Sequence, residues 1–509
     1  MVLKKLNMEN INKRLLTVIS EKYLSDNIYV RHAYSRVVDS IQQGVPDIVI
    51  RPGDTEEISE IVKIANEEDI PITIRGGGCC EFGGSKPIGD GGILLDMKRM
   101  NNIIDIDEEN LIATVEAGTS WAELNNALSS NGLYTGCLGP GSGLTASVGG
   151  GISHHSVGGG GGAKYGPCTK HVVSLEVVLP TGEIINTGSQ ANKFSTAPFN
   201  RFGNGPDLAA LFMGDNGIMG IKTKIALKIY PKPKFVEYKT FVLPRKSMEI
   251  SAKIFNEIRH KGIDVYDAMY FMDLLVNVGV QQGIFPLWED LKKKRGIMFY
   301  TVEANSDIEL EEKVKQLDEI FLDYKGQELG PEISDGNIGK WHYEEQGHWL
   351  IAHNLWGLIP GFMPLDAECK TSITSYPKIL KDLELWDMEN SDDMIKILEI
   401  TGMRPISGAG PIILIEDNTV ELTAGFTSFE SYHKEKVYEE IADINIKLWK
   451  SMLERMTKHG VSWYMMGDIL SRLLVDIGAF DKTYFEFLKN IKNTLDPKHI
   501  ISRGKFNFY

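Results

Sequence analysis

Between positions 47 and 75 the chain reads "DIVIRPGDTEEISEIVKIANEEDIPITIR": an apolar triplet, a turn, a stretch with helical alternation of apolar and charged positions, and a second apolar run. The pattern predicts a strand at Ile48–Ile50, a turn at Pro52-Gly53-Asp54, a helix capped near Asp54 or Thr55 with Glu56 and Glu57 in its first turn, and a strand at Ile72–Ile74. This βαβ-like unit delivers the chain into "RGGGCCEFGG". The following "GGILLDMKRMNNIIDIDEENLIATVEAGTSWAELNNALSSNGL" reads as strands with a helix over 120–130. Segment 171–187 alternates as a β-hairpin around Thr181-Gly182. After "GIKTKIALKIYPKPKF" glycine becomes sparse, which predicts a boundary near Pro231–Pro233. Beyond it, helical stretches (247–260, 307–322) alternate with strand-like runs (297–303, 412–426), and the closing segment is helix-rich. The opening "MVLKKLNMENINKRLLTVISEKYL" reads as an amphipathic helix with no signal-peptide core.

Composition narrows the class. With 509 residues, 42% hydrophobic and 24% charged, the chain can build two or three cores of a globular protein. No apolar run reaches membrane-spanning length, so no membrane span and a cytoplasmic location are expected. A net charge of −15 argues against a nucleic-acid surface, though a basic pocket can still sit on an acidic protein. The five cysteines contain no CxxC pair, and their odd number fits reduced thiols. Adjacent Cys79 and Cys80 are read as small residues in a tight turn rather than as a metal or redox pair.

Glycine carries the chemical signal. The stretches 75–84 and 139–166 concentrate a residue whose ordering is entropically unfavourable, each after a strand-like region. Bare backbone N–H groups can approach a phosphate closely. A Rossmann fingerprint fails, because Glu81 stands where the third glycine belongs and no helix follows. A P-loop fails as well, since Lys164 lies between Ala163 and Tyr165.

Five stretches, in order, resemble the FAD-binding proteins of the vanillyl-alcohol oxidase/para-cresol methylhydroxylase family, which also includes glycolate oxidase FAD subunits and D-lactate dehydrogenases. They are "PDIVIRPGDTEEISEIVKIANEEDIPITIRGGGCCEFGG", "GPGSGLTASVGGGISHHSVGGGGGAKYG", "VVSLEVVLPTGEIINTG", "DLAALFMGDNGIMGIKTKIALKIYPKP" and the terminal "LDPKHIISRGKF". The resemblance implies an α+β fold. Its parts would be an N-terminal helical segment (1–44), a two-subdomain FAD-binding domain of the para-cresol methylhydroxylase type (45–233), an α+β substrate cap with an antiparallel sheet (234–450), and a C-terminal segment (451–509) returning to the FAD domain. The cofactor contacts it implies are Arg75, Gly76, Gly77, Gly78, Cys79, Gly83, Gly84, Ser142, Ser147, Gly150, Gly151, Gly220, Ile221 and Lys505. Relatives that attach flavin covalently use a histidine where this chain has Cys79, or a cysteine near Thr145; neither nucleophile is present. Histidines of the cap (His342, His348, His353) remain open for that role, and non-covalent FAD is expected.

For the reaction, the resemblance implies hydride transfer to flavin N5 from an alcohol: a 2-hydroxy acid such as D-lactate or glycolate, or a phenolic alcohol. The metal-binding Gly-His-x-Gly-Asp-Gly-Asn-x-His element of the hydroxy-acid branch is missing, and His348 and His353, five apart, are read as structural; no metal is expected. "KHGVSW" partly echoes a family base at His459, with Lys458 replacing the glutamate. "HGVSWYMMGD" places Tyr464 at the phenolic branch's tyrosine, with Met465 in place of arginine. His154 and His155 are read as capping the second glycine loop rather than as bases, and Arg503 and Lys505 as candidate charges beside the flavin. Tyr464, His459 and Arg503 are therefore the catalytic candidates. Electrons would pass to a separate acceptor, an iron–sulfur or electron-transfer protein, because no cluster motif is present in this chain. A homo-oligomer is compatible with the sequence. An electron-relay subunit without its own substrate, and a non-redox alkyl-transfer relative, are the alternatives.

Overall fold

The computed structural model describes residues 8–35, 44–80, 82–157, 160–272, 296–329, 338–343, 362–401, 405–429, 435–464 and 466–509. His348, His353 and Met465 lie outside the described residues. The architecture is α+β, with the expected antiparallel sheet in its second half.

The first sheet contains β1 (Leu24–Ser25), β2 (Ile48–Ile50), β3 (Ile72–Arg75) and β4 (Ile93–Asp96) in the order β1-β2-β4-β3. The expected strand–helix–strand unit is present: the helix spans Thr55–Glu68, and the Asp54 side chain accepts the Glu57 N–H. Its two strands do not pair with each other, however. β4 inserts between them and pairs in parallel with both, so the apolar runs of β2 and β4 are buried together. The N-terminal helix Met8–Leu15 packs Ile11 and Leu15 into the same core.

The second sheet holds β5 (Ile103–Asp107), β6 (Ile112–Glu116), β8 (Val172–Val178), β9 (Ile184–Asn186) and β10 (Ile221–Lys228), ordered β5-β6-β10-β8-β9. β8 and β9 form the expected hairpin. The helix near 120–130 runs Trp121–Ser129, where Ser120 and Glu123 satisfy each other's backbone N–H groups in a capping box. A short ribbon pairs β7 (Leu133–Tyr134) with β11 (Tyr230–Pro231).

Eight strands build the third, antiparallel sheet: β12 (Phe235–Val242), β13 (Asp267–Phe271), β14 (Ile297–Ala304), β15 (Gln327–Glu328), β16 (Phe362–Ser372), β17 (Ile406–Ile415), β18 (Thr419–Phe429) and β19 (Ser462–Trp463), in the order β15-β12-β14-β13-β17-β18-β16-β19. The apolar run at 412–426 is two strands, not one. Asn418, at φ 60°, turns the chain back after Ile415. Helices appear where the periodicity predicts them, at Ser247–His260 and Asp307–Asp323.

This sheet has two unlike faces. Tyr270, Tyr300, Ala367, Cys369, Leu414 and Leu422 pack into one apolar core with the helices Tyr376–Glu389, Ser391–Thr401 and Glu435–Thr457. Strand alternation puts Asp267, Thr301, Glu303, Glu421 and Lys370 on the other face. That face meets the glycine-rich unit: Asp267 accepts the Gly161 N–H at 2.9 Å, and Glu303 accepts from Lys164 Nζ at 3.1 Å.

The C-terminal segment returns to the first sheet, as expected. The Ile72 N–H donates to Ile500 O (2.6 Å) and the Ser502 N–H to Ile72 O (2.8 Å), so the tail lies alongside β3. The buried Lys492 Nζ fastens it by donating to Ile218 O (2.7 Å), Ile501 O (3.1 Å) and Asp496 Oδ2 (2.6 Å).

Candidate functional site

The two glycine loops meet backbone to backbone. A Cβ on Gly77 would overlap the Thr145 carbonyl, and Gly78, at φ 72°, would press one against the Arg75 guanidinium. Only glycine lets the loops close here. Across the seam, Ser142 Oγ donates to Cys79 Sγ at 3.1 Å. Ser147 caps the short helix Val148–Ser153 by accepting the Gly150 N–H at 3.1 Å.

Together the loops, that helix, the Asn216–Gly217 turn and the C-terminal segment line a cleft. Of the residues expected at a cofactor, Gly76, Gly77, Gly78, Cys79, Gly84, Ser142, Ser147, Gly150, Gly151, Gly220 and Lys505 line it. Three lie behind its wall. Arg75 turns away to donate to Ser85 O (3.2 Å) and stands over the Tyr34 ring at 5.4 Å, bracing the first loop. Gly83 is buried in the loop at φ 81°. The Ile221 side chain is fully buried in the core as β10 begins.

The catalytic candidates are not brought together. Tyr464 packs against Val157 and Ile415, where the eight-stranded sheet meets the second glycine loop. His459 Nε2 lies 2.9 Å from Asp382 Oδ2, and Asp382 also pairs with Arg455 at 3.0 Å. This places His459 among the helices on the sheet's opposite face. Arg503 donates to Asp69 Oδ1 (2.6 Å) and His499 O (3.0 Å), outside the cleft lining.

His154 and His155 are adjacent in sequence but diverge. His154 lines the cleft, and its Nδ1 is buried without a hydrogen-bond partner. Burial, then Lys505 and Lys222, pull its pKa down to about 3, so it is neutral. His155, at φ 55°, turns its ring away to Thr169 Oγ1 (2.6 Å) and is held down to about 4 by burial, then by Lys370 and Arg201.

One lining cation escaped the sequence reading. Lys222 reaches the cleft from β10, paired at 2.9 Å with the buried Asp215, which also accepts the Gly217 N–H (3.1 Å) and the Met219 N–H (3.2 Å). In sequence, Lys222 is one charge in an alternating strand and reads as facing solvent. The acid-Asn-Gly turn beside it, "GDNG", was its only signal.

The lining has the chemistry an anionic dinucleotide needs. Lys505 is 4% exposed, and its ammonium donates to two carbonyls, Gly84 O (3.0 Å) and Asn216 O (2.6 Å). Burial depresses its pKa against the pull of Asp468, and the Lys222 charge adds to the lowering. Two buried cations facing a cleft of exposed backbone favour an anion there. FAD, with its anionic pyrophosphate, fits this donor set.

A family model described as an FAD binding domain matches residues 46–188. Glycolate oxidase subunit GlcD of Bacillus subtilis is 36% identical over 250 residues, which cover 49% of this chain and 50% of that protein. The D-lactate dehydrogenase of Anaerostipes hadrus is 28% identical over 55% of this chain and 56% of its own. The chain thus spans about half the length of these curated relatives. Over nearly its whole length, its fold matches the 4-ethylphenol oxidase from Gulosibacter chungangensis in complex with isoeugenol. That likeness has a TM-score of 0.80 at 18% identity and covers 99% of this chain and 97% of the other. Residues 46–188 thus carry an FAD binding domain, and the chain as a whole shares the fold of the 4-ethylphenol oxidase.

Proposed function

We propose that this flavoprotein is an FAD-linked oxidoreductase that oxidises a 2-hydroxy acid of the D-lactate or glycolate type and passes the electrons to a separate acceptor protein. The observation that carries the proposal is the cleft built by the two glycine loops, in a segment akin to a glycolate oxidase subunit and a D-lactate dehydrogenase. FAD, when bound, supplies a hydride acceptor at N5. The chain's own residues do the rest. The backbone of residues 76–78 and 147–151 would hold the pyrophosphate, and Lys505 and Lys222 would set positive charge beside the cofactor. The polar face of the eight-stranded sheet closes over the second glycine loop and excludes water.

Tyr464 is the substrate-orienting group in this reading. It alone among the three candidates stands where the sheet meets a cofactor loop, and its phenol can hydrogen-bond the substrate hydroxyl oxygen while that hydroxyl's proton passes to solvent. Among the described residues no helix is long and apolar enough to cross a membrane.

The test is an anaerobic absorption spectrum of FAD-loaded protein before and after adding D-lactate, glycolate and a panel of para-substituted phenols. Bleaching of the flavin by a hydroxy acid, with formation of the 2-oxo acid, is expected. A flavin that only phenols reduce would move the substrate to the phenolic branch, and one that nothing reduces would point to an electron-relay or non-redox role.

A further inference from the structure

The mechanism leaves unused a charged group on the polar face of the eight-stranded sheet. Lys370 on β16 stands directly opposite Glu421 on β18, the closest cross-strand relationship two side chains can have. Glu421 is 6% exposed. The Lys370 ammonium lies 5.5 Å from the centre of the Tyr464 ring, within cation–π reach. Tyr464 in turn touches Val157 of the second glycine loop.

The charge on Lys370 is felt across the interface. After burial, it is the largest influence holding down the His155 imidazole, and the next residue back, His154, lines the cofactor cleft. On the sheet side it opposes the burial that pushes the Glu421 carboxyl up to about 8. A sheet needs no lysine on a covered face for packing, and an apolar pair would serve stability as well. The strand register instead sets a cation beside the tyrosine that this reading places at the substrate hydroxyl.

We propose that Lys370, set opposite Glu421 and beside the Tyr464 ring, anchors the carboxylate of the substrate. This assignment rests on the hydroxy-acid reading above. A 2-hydroxy acid bound so would have its carboxylate on Lys370 and its hydroxyl toward Tyr464, leaving the carbinol C–H free to face the cofactor loops. Lys370 is then a specificity residue that separates hydroxy acids from neutral alcohols.

The experiment uses FAD-loaded full-length protein and the perturbation of its flavin spectrum by pyruvate, with methyl pyruvate as the uncharged control. Lys370→Met is expected to weaken pyruvate binding by about 10- to 100-fold, the loss of one charge-assisted contact, and to leave methyl pyruvate binding unchanged. Lys370→Arg should restore most of the affinity. Glu421→Gln should bind pyruvate as wild type does at pH 7 and more tightly than wild type at pH 9, where Glu421 is charged, whereas a purely structural pair would show no such split; this variant also serves if Lys370→Met does not fold. A protein reduced by D-lactate whose Lys370→Met variant binds pyruvate as well as wild type does would overturn the assignment alone. A wild type that neither binds pyruvate nor is reduced by any hydroxy acid would overturn the hydroxy-acid reading and the assignment with it.

Discussion

Lys505 Nζ donates to the carbonyl oxygen of Gly84 at 3.0 Å, so a side chain from the last turn of the protein holds the first glycine loop in place. The same ammonium reaches Asn216 O at 2.6 Å and thereby joins three distant segments around one cleft. Replacing it removes two charge-assisted hydrogen bonds and a buried positive charge. Lys505→Met is expected to weaken FAD retention by about 10- to 100-fold. Flavin content after gel filtration, followed by titration of the apoprotein with FAD, measures this. Unchanged retention would mean the tail is only a structural strap.

Gly77 faces the Thr145 carbonyl so closely that any Cβ must push the two loops apart. Gly77→Ala should abolish or strongly reduce FAD binding. The eight-stranded sheet, with its separate core, should stay folded. Flavin absorbance and circular dichroism of the same sample distinguish the two effects. A variant that binds FAD normally would show that the loops separate easily.

Glu303, 1% exposed, accepts hydrogen bonds from Tyr134 Oη (2.9 Å), Tyr343 Oη (2.9 Å) and Lys164 Nζ (3.1 Å). It is the point where β14 grips the Lys-Tyr-Gly end of the second glycine loop. Glu303→Ala leaves Lys164 without its buried partner and should destabilise the protein by about 3–5 kcal/mol. Glu303→Gln, which keeps an acceptor, should lose less. Urea denaturation followed by tryptophan fluorescence tests the order, and equal stability of the two variants would refute the grip.

Three imidazoles are held neutral mainly by burial: His154 near 3, and His155 and His171 near 4, against an ordinary value of 6.5. In the unfolded chain they protonate as pH falls through 6.5, while the folded chain stays neutral until about pH 4. The unfolded state therefore binds more protons across this window, and stability falls as the solution is acidified. On the order of 1 kcal/mol per histidine should be lost by pH 5.5. Denaturation midpoints at pH 7.0 and 5.5 provide the check, and a flat profile would argue that other groups compensate.

The cofactor cradle was legible from sequence because its requirement is on the backbone. A loop that must pass against a carbonyl, as Gly77 does, or adopt φ 72°, as Gly78 does, can be built only from glycine, and the requirement appears as residue type. The helices at 247–260 and 307–322 were legible for a similar local reason, since their apolar spacing and caps lie within a few turns of chain. What the chain does not spell out is which side of a strand or turn is covered. Lys222 and Glu421 lie in strands and read as solvent-facing charges, but the structure buries both. Arg503 and Lys505 stand two residues apart in the closing segment, yet Arg503 pairs with Asp69 outside the cleft and Lys505 enters it, because the left-handed Ser502 (φ 51°) and Phe506 (φ 53°) reverse the chain around them. Residue type and short-range periodicity thus determined the cofactor loops and most elements. Tertiary packing alone decided which charges face the cleft, because burial of a side chain depends on what a distant segment lays over it.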